Sequence, residues 1–230
     1  MKRIAIITAR GGSKRIPKKN IKDFNGKPII AYAIEEALSS NLFDEVMVST
    51  DSDEIADIGK KYGAKVPFMR SEKTSDDYAT TSDVLMEVLD MYKEQGYEFD
   101  TMVCIYPTAP FVTAVKLAKA VEILEKEQVT QVMPVVAFSY PPQRGYIIKE
   151  KELIMKNIEY INTRSQDLET IYHDAGQFYC YNVSKFQEKK GIVFNDTIPI
   201  IVDELEVQDI DTMKDWKIAE MKYKLMSEKE

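Results

Sequence analysis

Apolar residues in this chain fall into short continuous runs that alternate with longer stretches of helical periodicity. Ile4 to Ile7 is too short for a helix and rich in β-branched residues, which predicts a strand buried on both faces. After the Asn25-Gly26 turn, Pro28 suits a first helical turn. Ile30, Ile34 and Ala37 with Leu38 then mark one helix face, with Glu35, Glu36 and Ser39 on the other. The run 45–50 predicts a second strand, Asp53 to Tyr62 a short helix closed by Gly63, and Val66 onward another extended piece. Val84, Leu85, Val88, Leu89 and Tyr92 predict a helix over 84–93, and Thr101 to Tyr106 a strand ended by Pro107 and Pro110. Val115, Ala118, Val121 and Leu124 set the register of a helix over 114–126, and a strand follows from Gln131.

Strand and helix alternating at this spacing predict an α/β fold, a mainly parallel sheet flanked by helices, with ligands gathering beyond the carboxyl ends of the strands. The alternation lapses over about 138–176, a stretch rich in Tyr, Arg and Gln with turn signals at Pro141-Pro142 and Gly145. This is an ordered excursion suited to a substrate wall or a subunit interface. QFYCYN, TIPIIVD and LEVQDID then predict three further strands, followed by a helix over 212–226. No internal repeat or low-complexity tract interrupts what reads as a single domain over 1–230.

Composition narrows the partners. A chain of 230 residues with 44% hydrophobic content builds one sizeable core. A net charge of -7 argues against a nucleic-acid or anionic-membrane binder, so a basic stretch here is a local site for a small ligand. Cys104 and Cys180 both lie in strand-like segments, which predicts buried free thiols and a cytoplasmic setting. No run resembles a secretory signal or a membrane span.

That basic stretch follows the first strand. Arg10, Lys14, Arg15, Lys18 and Lys19 surround the pair Gly11-Gly12, and no acidic residue appears before Asp23. Glycines let the backbone turn tightly and bring N–H groups to an anion. The spacing fits neither G-x-x-x-x-G-K-[ST] nor G-x-G-x-x-G, which excludes the standard triphosphatase loop and counts against a dinucleotide oxidoreductase. A solvated basic arm is the plain alternative. The polar run 70–83, headed by Arg70, falls on the same rim. Near the other end, Asp209 and Asp211 alternate in the expected last strand, which points both carboxylates to one side, where they suit a divalent cation such as Mg2+. The competing reading has Asp211 or Thr212 capping the terminal helix.

Taken together, these segments resemble the cytidylyltransferases that activate nine-carbon and related acidic sugars. ARGGSKRIPKKN resembles the family's nucleotide loop, VSTDSDEIA its second strand and turn, MRSEKTSDD its Arg and Ser-Asp segment, YPTAP its Pro-Thr-x-Pro turn, and DIDT its metal-binding carboxylates. FSYPPQR, NTRSQDL and YHDAGQFY resemble the pseudaminic acid branch. Sialic acid enzymes more often place Gln where this chain has Tyr106, and Asn-Gly-Ala where it has Asp174-Ala175-Gly176.

The resemblance implies a Rossmann-like nucleotide-diphospho-sugar transferase fold and transfer of CMP from CTP to the anomeric hydroxyl of an acidic nine-carbon sugar, pseudaminic acid, with Mg2+ held by Asp209 and Asp211. Legionaminic or N-acetylneuraminic acid is the alternative acceptor, and an inactive nucleotide-binding homologue the alternative class. Arg10, Ser13, Lys14 and the Gly11 and Gly12 amides suit the triphosphate; Asn20, Arg70 and Thr80 match the family's nucleoside contacts. Arg10, Lys14 and Asp211 are the expected catalytic groups. Tyr106, Arg144, Arg164, Gln166, His173 and Gln177 are the expected sugar contacts, His173 as a contact rather than a base. The excursion resembles an element through which the family forms homodimers.

Overall fold

A computed structural model describes residues 1–227. In chain order the elements are β1 (Arg3–Thr8), β2 (Asp23–Phe24), β3 (Lys27–Pro28), α1 (Ile29–Ser39), β4 (Glu45–Ser49) and α2 (Asp53–Lys61). They continue with α3 (Glu72–Ser75), α4 (Thr81–Glu94), β5 (Thr101–Ile105), α5 (Ala114–Glu127) and β6 (Gln131–Ala137). The remainder comprises β7 (Tyr146–Lys149), β8 (Glu152–Met155), β9 (Tyr172–Asp174), β10 (Phe178–Asn182), α6 (Val183–Glu188), β11 (Thr197–Ile201) and α7 (Met213–Ser227).

The main sheet runs in the order β11-β6-β10-β5-β1-β4, with β9 added beside β6. β1 pairs in parallel with β4 and β5, and β11 with β6, while β10 runs antiparallel between β5 and β6. Because β1 lies inside, both its faces are covered, which explains the unbroken apolar run at Ile4 to Ile7. Alternation sorts those residues: Ala5 and Ile7 join the core under α1 and α5, and Ile4 and Ile6 join the core under α4 and α6. The result is a three-layer, mainly parallel α/β fold, as the pattern predicts.

Register fixes the functional rim. Thr8 stands beside Ser49, Ile7 beside Ile105, and Ile105 beside Phe178. The segments leaving β1, β4 and β5 and the segment entering β10 therefore emerge at one edge.

Several local expectations change. The buried stripe of α5 is Leu117, Ala120, Val121 and Leu124, while Val115 is 78% exposed. Thr113 caps the helix, its side chain accepting from the Lys116 amide. In α1 the whole run Ile29 to Ile34 is buried, and Leu38 faces outward. Pro28 precedes that helix as its cap. The segment after β11 is no strand: Glu204–Glu206 is a single 3₁₀ turn, and Val207 to Asp211 makes no ladder. Strand alternation therefore does not orient Asp209 and Asp211.

A third, smaller core orients them instead. Ile16 from the glycine loop, Ile210 from between the two aspartates, Phe24, Ile29, Tyr32, Phe111 and Trp216 of α7 are buried against one another. Trp216 and Tyr32 each meet the Phe24 ring edge-on, at 5.6 and 5.5 Å between centroids. With Ile16 1% exposed, the loop is no solvated arm. Both cysteines are free and buried, and among the described residues no helix is long and apolar enough to cross a membrane.

Trp216→Ala empties the centre of the small core and is expected to cost about 3–5 kcal/mol. Urea unfolding followed by circular dichroism measures this; a loss below about 1 kcal/mol would show the cluster to be dispensable.

Candidate active site

Two adjoining cavities open along the rim, and a third meets them at Tyr106. The first, of about 320 Å³, is walled by Thr8, Gly12, Ser13, Asn20, Pro107 and Thr108 and by four cations, Arg10, Lys14, Arg15 and Lys19. No carboxylate lines it. The second, of about 270 Å³, shares Thr8, Arg10 and Tyr106 with the first and adds Arg70, Thr74, Asp76, Asp77, Thr80 and Thr81. The third, of about 470 Å³, shares Tyr106 and Thr108 with the first and is lined by His173, Asp174, Tyr179, Gln208, Asp209 and Ile210, with no Lys or Arg.

The loop that carries the cations is held from both sides. Asn20, 7% exposed, donates through Nδ2 to the Arg10 carbonyl at 2.8 Å and ties the two ends of the loop together. The Gly11 N–H donates to Asp51 Oδ1 at 2.7 Å, so that amide does not face the cavity. A Cβ on Gly11 would lie 3.1 Å from Ser52 Cβ; this glycine is required by close packing against the turn after β4. Gly12 alone of the pair lines the cavity.

At the far wall the two chain ends meet. Arg15 Nη1 lies 2.6 Å from Asp211 Oδ2, and Lys19 Nζ donates to the Ile210 carbonyl at 2.8 Å. Desolvation lowers the Lys19 pKa, opposed by the charges of Asp211 and Asp209. The terminal helix is capped by Thr212, whose Oγ1 accepts from the Asp215 amide while Asp215 Oδ2 accepts from the Thr212 amide. Capping therefore does not occupy the Asp211 side chain. Asp209 makes no side-chain hydrogen bond or ion pair among the described residues. No group of three or more His, Cys, Asp or Glu is placed to hold a metal among those residues. Two hard carboxylates beside an anion cavity, one of them without a protein partner, fit Mg2+, which takes one or two carboxylates and completes its shell with phosphate oxygens and water.

The wall between the cavities is a chain of hydroxyls. Tyr106 OH lies 3.3 Å from Thr81 Oγ1, and its ring meets edge-on, at 5.4 Å between centroids, that of Tyr179, which donates to Asp174 Oδ2 at 2.6 Å. Burial raises the pKa of both tyrosines, so they remain neutral donors.

A profile described as "Cytidylyltransferase" matches residues 4–223. The chain belongs to the cytidylyltransferase family. It is a nucleotidyltransferase. It is 41% identical over 230 residues, 99% of each chain, to a protein named pseudaminic acid cytidylyltransferase from Campylobacter jejuni subsp. jejuni. It is 35% identical over 240 residues, again 99% of each, to the CMP-N,N'-diacetyllegionaminic acid synthase of Legionella pneumophila. The fold is also that of a CMP:2-keto-3-deoxy-manno-octonic acid synthetase solved with CTP, at a TM-score of 0.71 and 18% identity over the whole of both chains.

Of the residues expected to serve this family chemistry, the fold gathers Arg10, Gly12, Ser13, Lys14 and Asn20 in the first cavity, Arg70 and Thr80 in the second, and Tyr106, His173 and Asp209 around the third. Some are already engaged. Thr80 is the N-cap of α4, its hydroxyl shared with Asp83. Arg70 is fixed by Nε to Ser49 Oγ at 3.1 Å and Nη2 to the Ser49 carbonyl at 2.7 Å, and desolvation lowers its pKa. His173 Nδ1 lies 2.9 Å from the Asp174 carbonyl, and its ring packs on Phe138.

Four expected sugar contacts do not join the cavities within one chain. Gln177 is 2% exposed and donates to the Glu206 carbonyl, because its position directly before β10 points it into the packed layer. Arg144, Arg164 and Gln166 lie on the excursion; Arg144 reaches Ser165 at 3.3 Å, and Arg164 forms a two-pronged pair with Asp167.

Two further residues matter. Lys19 was visible as part of the basic run, but only its tie to Ile210 distinguishes it. Asp77 accepts from Arg10 Nη1 at 2.9 Å through one oxygen and from Lys14 through the other. These contacts, that to Lys14 foremost, hold its carboxyl below the usual range. An anion entering the first cavity competes with this carboxylate for both cations. Asp77→Asn removes the competitor, and calorimetric titration with CTP is expected to show about threefold or more tighter binding, the gain shrinking as salt rises. Weaker binding would show that Asp77 assists the nucleotide rather than competing with it.

Proposed function

We propose that this enzyme transfers CMP from CTP to the anomeric hydroxyl of pseudaminic acid, releasing pyrophosphate. The observation that supports it best is the meeting of a carboxylate-free, four-cation cavity with a larger, cation-free cavity at Tyr106 and Thr108, beside Asp209. The first cavity suits a triphosphate and the third a polar sugar. The relatives named for pseudaminic and legionaminic acids mark the acceptor class, and the higher identity lies with the former.

In this reading Lys14, Ser13 and the Gly12 amide receive the phosphates, and Arg10 spans the first and second cavities along the nucleotide. A bond forms from the sugar oxygen to the α-phosphorus, and the bond from that phosphorus to the pyrophosphate oxygen breaks. Catalysis is then mostly alignment and charge compensation, with Lys14 and Arg15 meeting the negative charge that builds on the leaving group. Asp209 and Asp211 would hold Mg2+, which supplies further neutralisation of the phosphates when bound. In this reading one of the two carboxylates takes the hydroxyl proton, and Asp209, which lines the acceptor cavity and makes no side-chain hydrogen bond or ion pair among the described residues, is the nearer to the acceptor side. Neutral Tyr106 orients the acceptor as a hydrogen-bond donor, while Tyr179, whose O–H goes to Asp174, offers its oxygen as an acceptor.

An acidic sugar needs a cation for its carboxylate, and the acceptor cavity has none. The excursion carries Arg144 and Arg164 and exposes Ile148, Leu153, Ile158 and Ile161, with Ile148 77% and Leu153 65% exposed. A second copy of this chain covering that face, and receiving an arginine from it, supplies both needs in a homodimer. A CTP-dependent role and reduced Cys104 and Cys180 suit a cytoplasmic enzyme.

Pyrophosphate release with purified pseudaminic, legionaminic and N-acetylneuraminic acids tests the acceptor; faster turnover with either of the latter two would reassign it. Lys14→Ala and Asp211→Ala are each expected to lower kcat by about 100-fold or more with circular dichroism unchanged, whereas unaltered turnover would remove both from the mechanism. The double variant Ile148→Glu, Leu153→Glu is expected to sediment as a monomer and to raise the KM for sugar far more than that for CTP. A dimer with native KM values would refute the shared site.

A further inference from the structure

The segment that carries Asp209 and Asp211 pairs with no strand, so its course is set by side chains that receive its backbone carbonyls. Lys19 holds the Ile210 carbonyl and Gln177 that of Glu206, while Lys116 pairs with the Glu206 carboxylate at 2.7 Å. Lys222 of α7 does more. Its Nζ donates to the Glu204 carbonyl at 3.0 Å and to the Val207 carbonyl at 2.7 Å, gripping the 3₁₀ turn on both sides. The second of these carbonyls lies two residues before Asp209. The same ammonium borders a side cavity of about 210 Å³ that Asp209 also lines. The helix that follows the aspartates thus folds back to fix the chain that leads into them.

We propose that Lys222 is a positioning residue for the Asp209 and Asp211 carboxylates and thereby sets the affinity of the site for its divalent cation. The inference rests on the cation reading above. Charge-assisted hydrogen bonds to two carbonyls on either side of one turn define its orientation, and Mg2+ tolerates little departure from octahedral geometry. Loss of the ammonium leaves those carbonyls to water and loosens the chain that leads into Asp209. Lys222 touches neither the first nor the third cavity, so its effect passes through Asp209.

The experiment measures Mn2+ binding by electron paramagnetic resonance with the full chain and CTP present, alongside the Mg2+ dependence of turnover. Lys222→Met, which keeps the stem and removes the charge, is expected to weaken Mn2+ binding about tenfold, as loss of a supporting partner at a metal site does, with kcat at saturating metal less affected. Lys222→Arg, which keeps the donors, is expected to restore most of the affinity. Asp209→Asn reports on the cation site itself. Unchanged Mn2+ affinity in Lys222→Met beside weakened binding in Asp209→Asn overturns the inference and leaves the cation reading standing, even if Lys222→Met melts earlier. Unchanged affinity in both Asp209→Asn and Asp211→Asn overturns the cation reading and this inference with it.

Discussion

Burial of Ile16 against Ile210 beneath Trp216 is the contact on which the site depends. Each isoleucine is flanked by charge, Arg15 before the one and Asp209 and Asp211 around the other. Seating both apolar side chains in one small core forces those charges onto a common surface. The Arg15–Asp211 pair is exposed enough that its own contribution to stability is small; it reports the juxtaposition rather than producing it. What produces it is removal of apolar surface from water and edge-on aromatic packing around Phe24.

From that constraint the division of labour follows. The parallel strands deliver the cation loop, the Thr50-Asp51 turn and the Pro-Thr-Ala-Pro turn to one edge, and the antiparallel β10 brings Asp174 to Tyr179 up beside them. Tyr106 sits where these meet and borders all three cavities. Cations line the first cavity, Asp174 and Asp209 line the third with no Lys or Arg, and the second carries both signs of charge. Because burial keeps the tyrosine hydroxyls protonated, the dividing wall stays neutral while both sides carry charge.

Much of this was legible in residue order. The continuous run Ile4 to Ile7 and the alternation of strands with helices disclose a parallel sheet, because burial on both faces leaves no polar position free. The basic run discloses the first cavity, because Arg10, Lys14, Arg15, Lys18 and Lys19 cluster with no acidic residue before Asp23. What escaped depends on distant partners. The 207–211 segment has the alternation of a strand yet lacks a neighbour to pair with, and side chains hold it instead, Lys19 from far away in sequence and Lys222 from the helix that follows. Val115 fits a helical stripe as well as Leu117 does, and the face on which α5 packs against the sheet decides between them. Gly11 reads as an amide donor until Asp51, brought in by the adjacent strand, claims it. Gln177 reads as a contact because it is polar, whereas its place before β10 buries it.

The link from Asp77 to Arg10 and Lys14 bears on what the open site ignores. A pocket crowded with positive charge inside an acidic protein would ordinarily act as a sink for loose polyanions, free phosphate and stray RNA among them. With a carboxylate already seated between two of its cations, a visitor competes with a charge that the chain itself supplies, at a pair exposed enough to be weak and screened by salt. The loop's positive charge is thereby partly offset before any base or sugar is inspected.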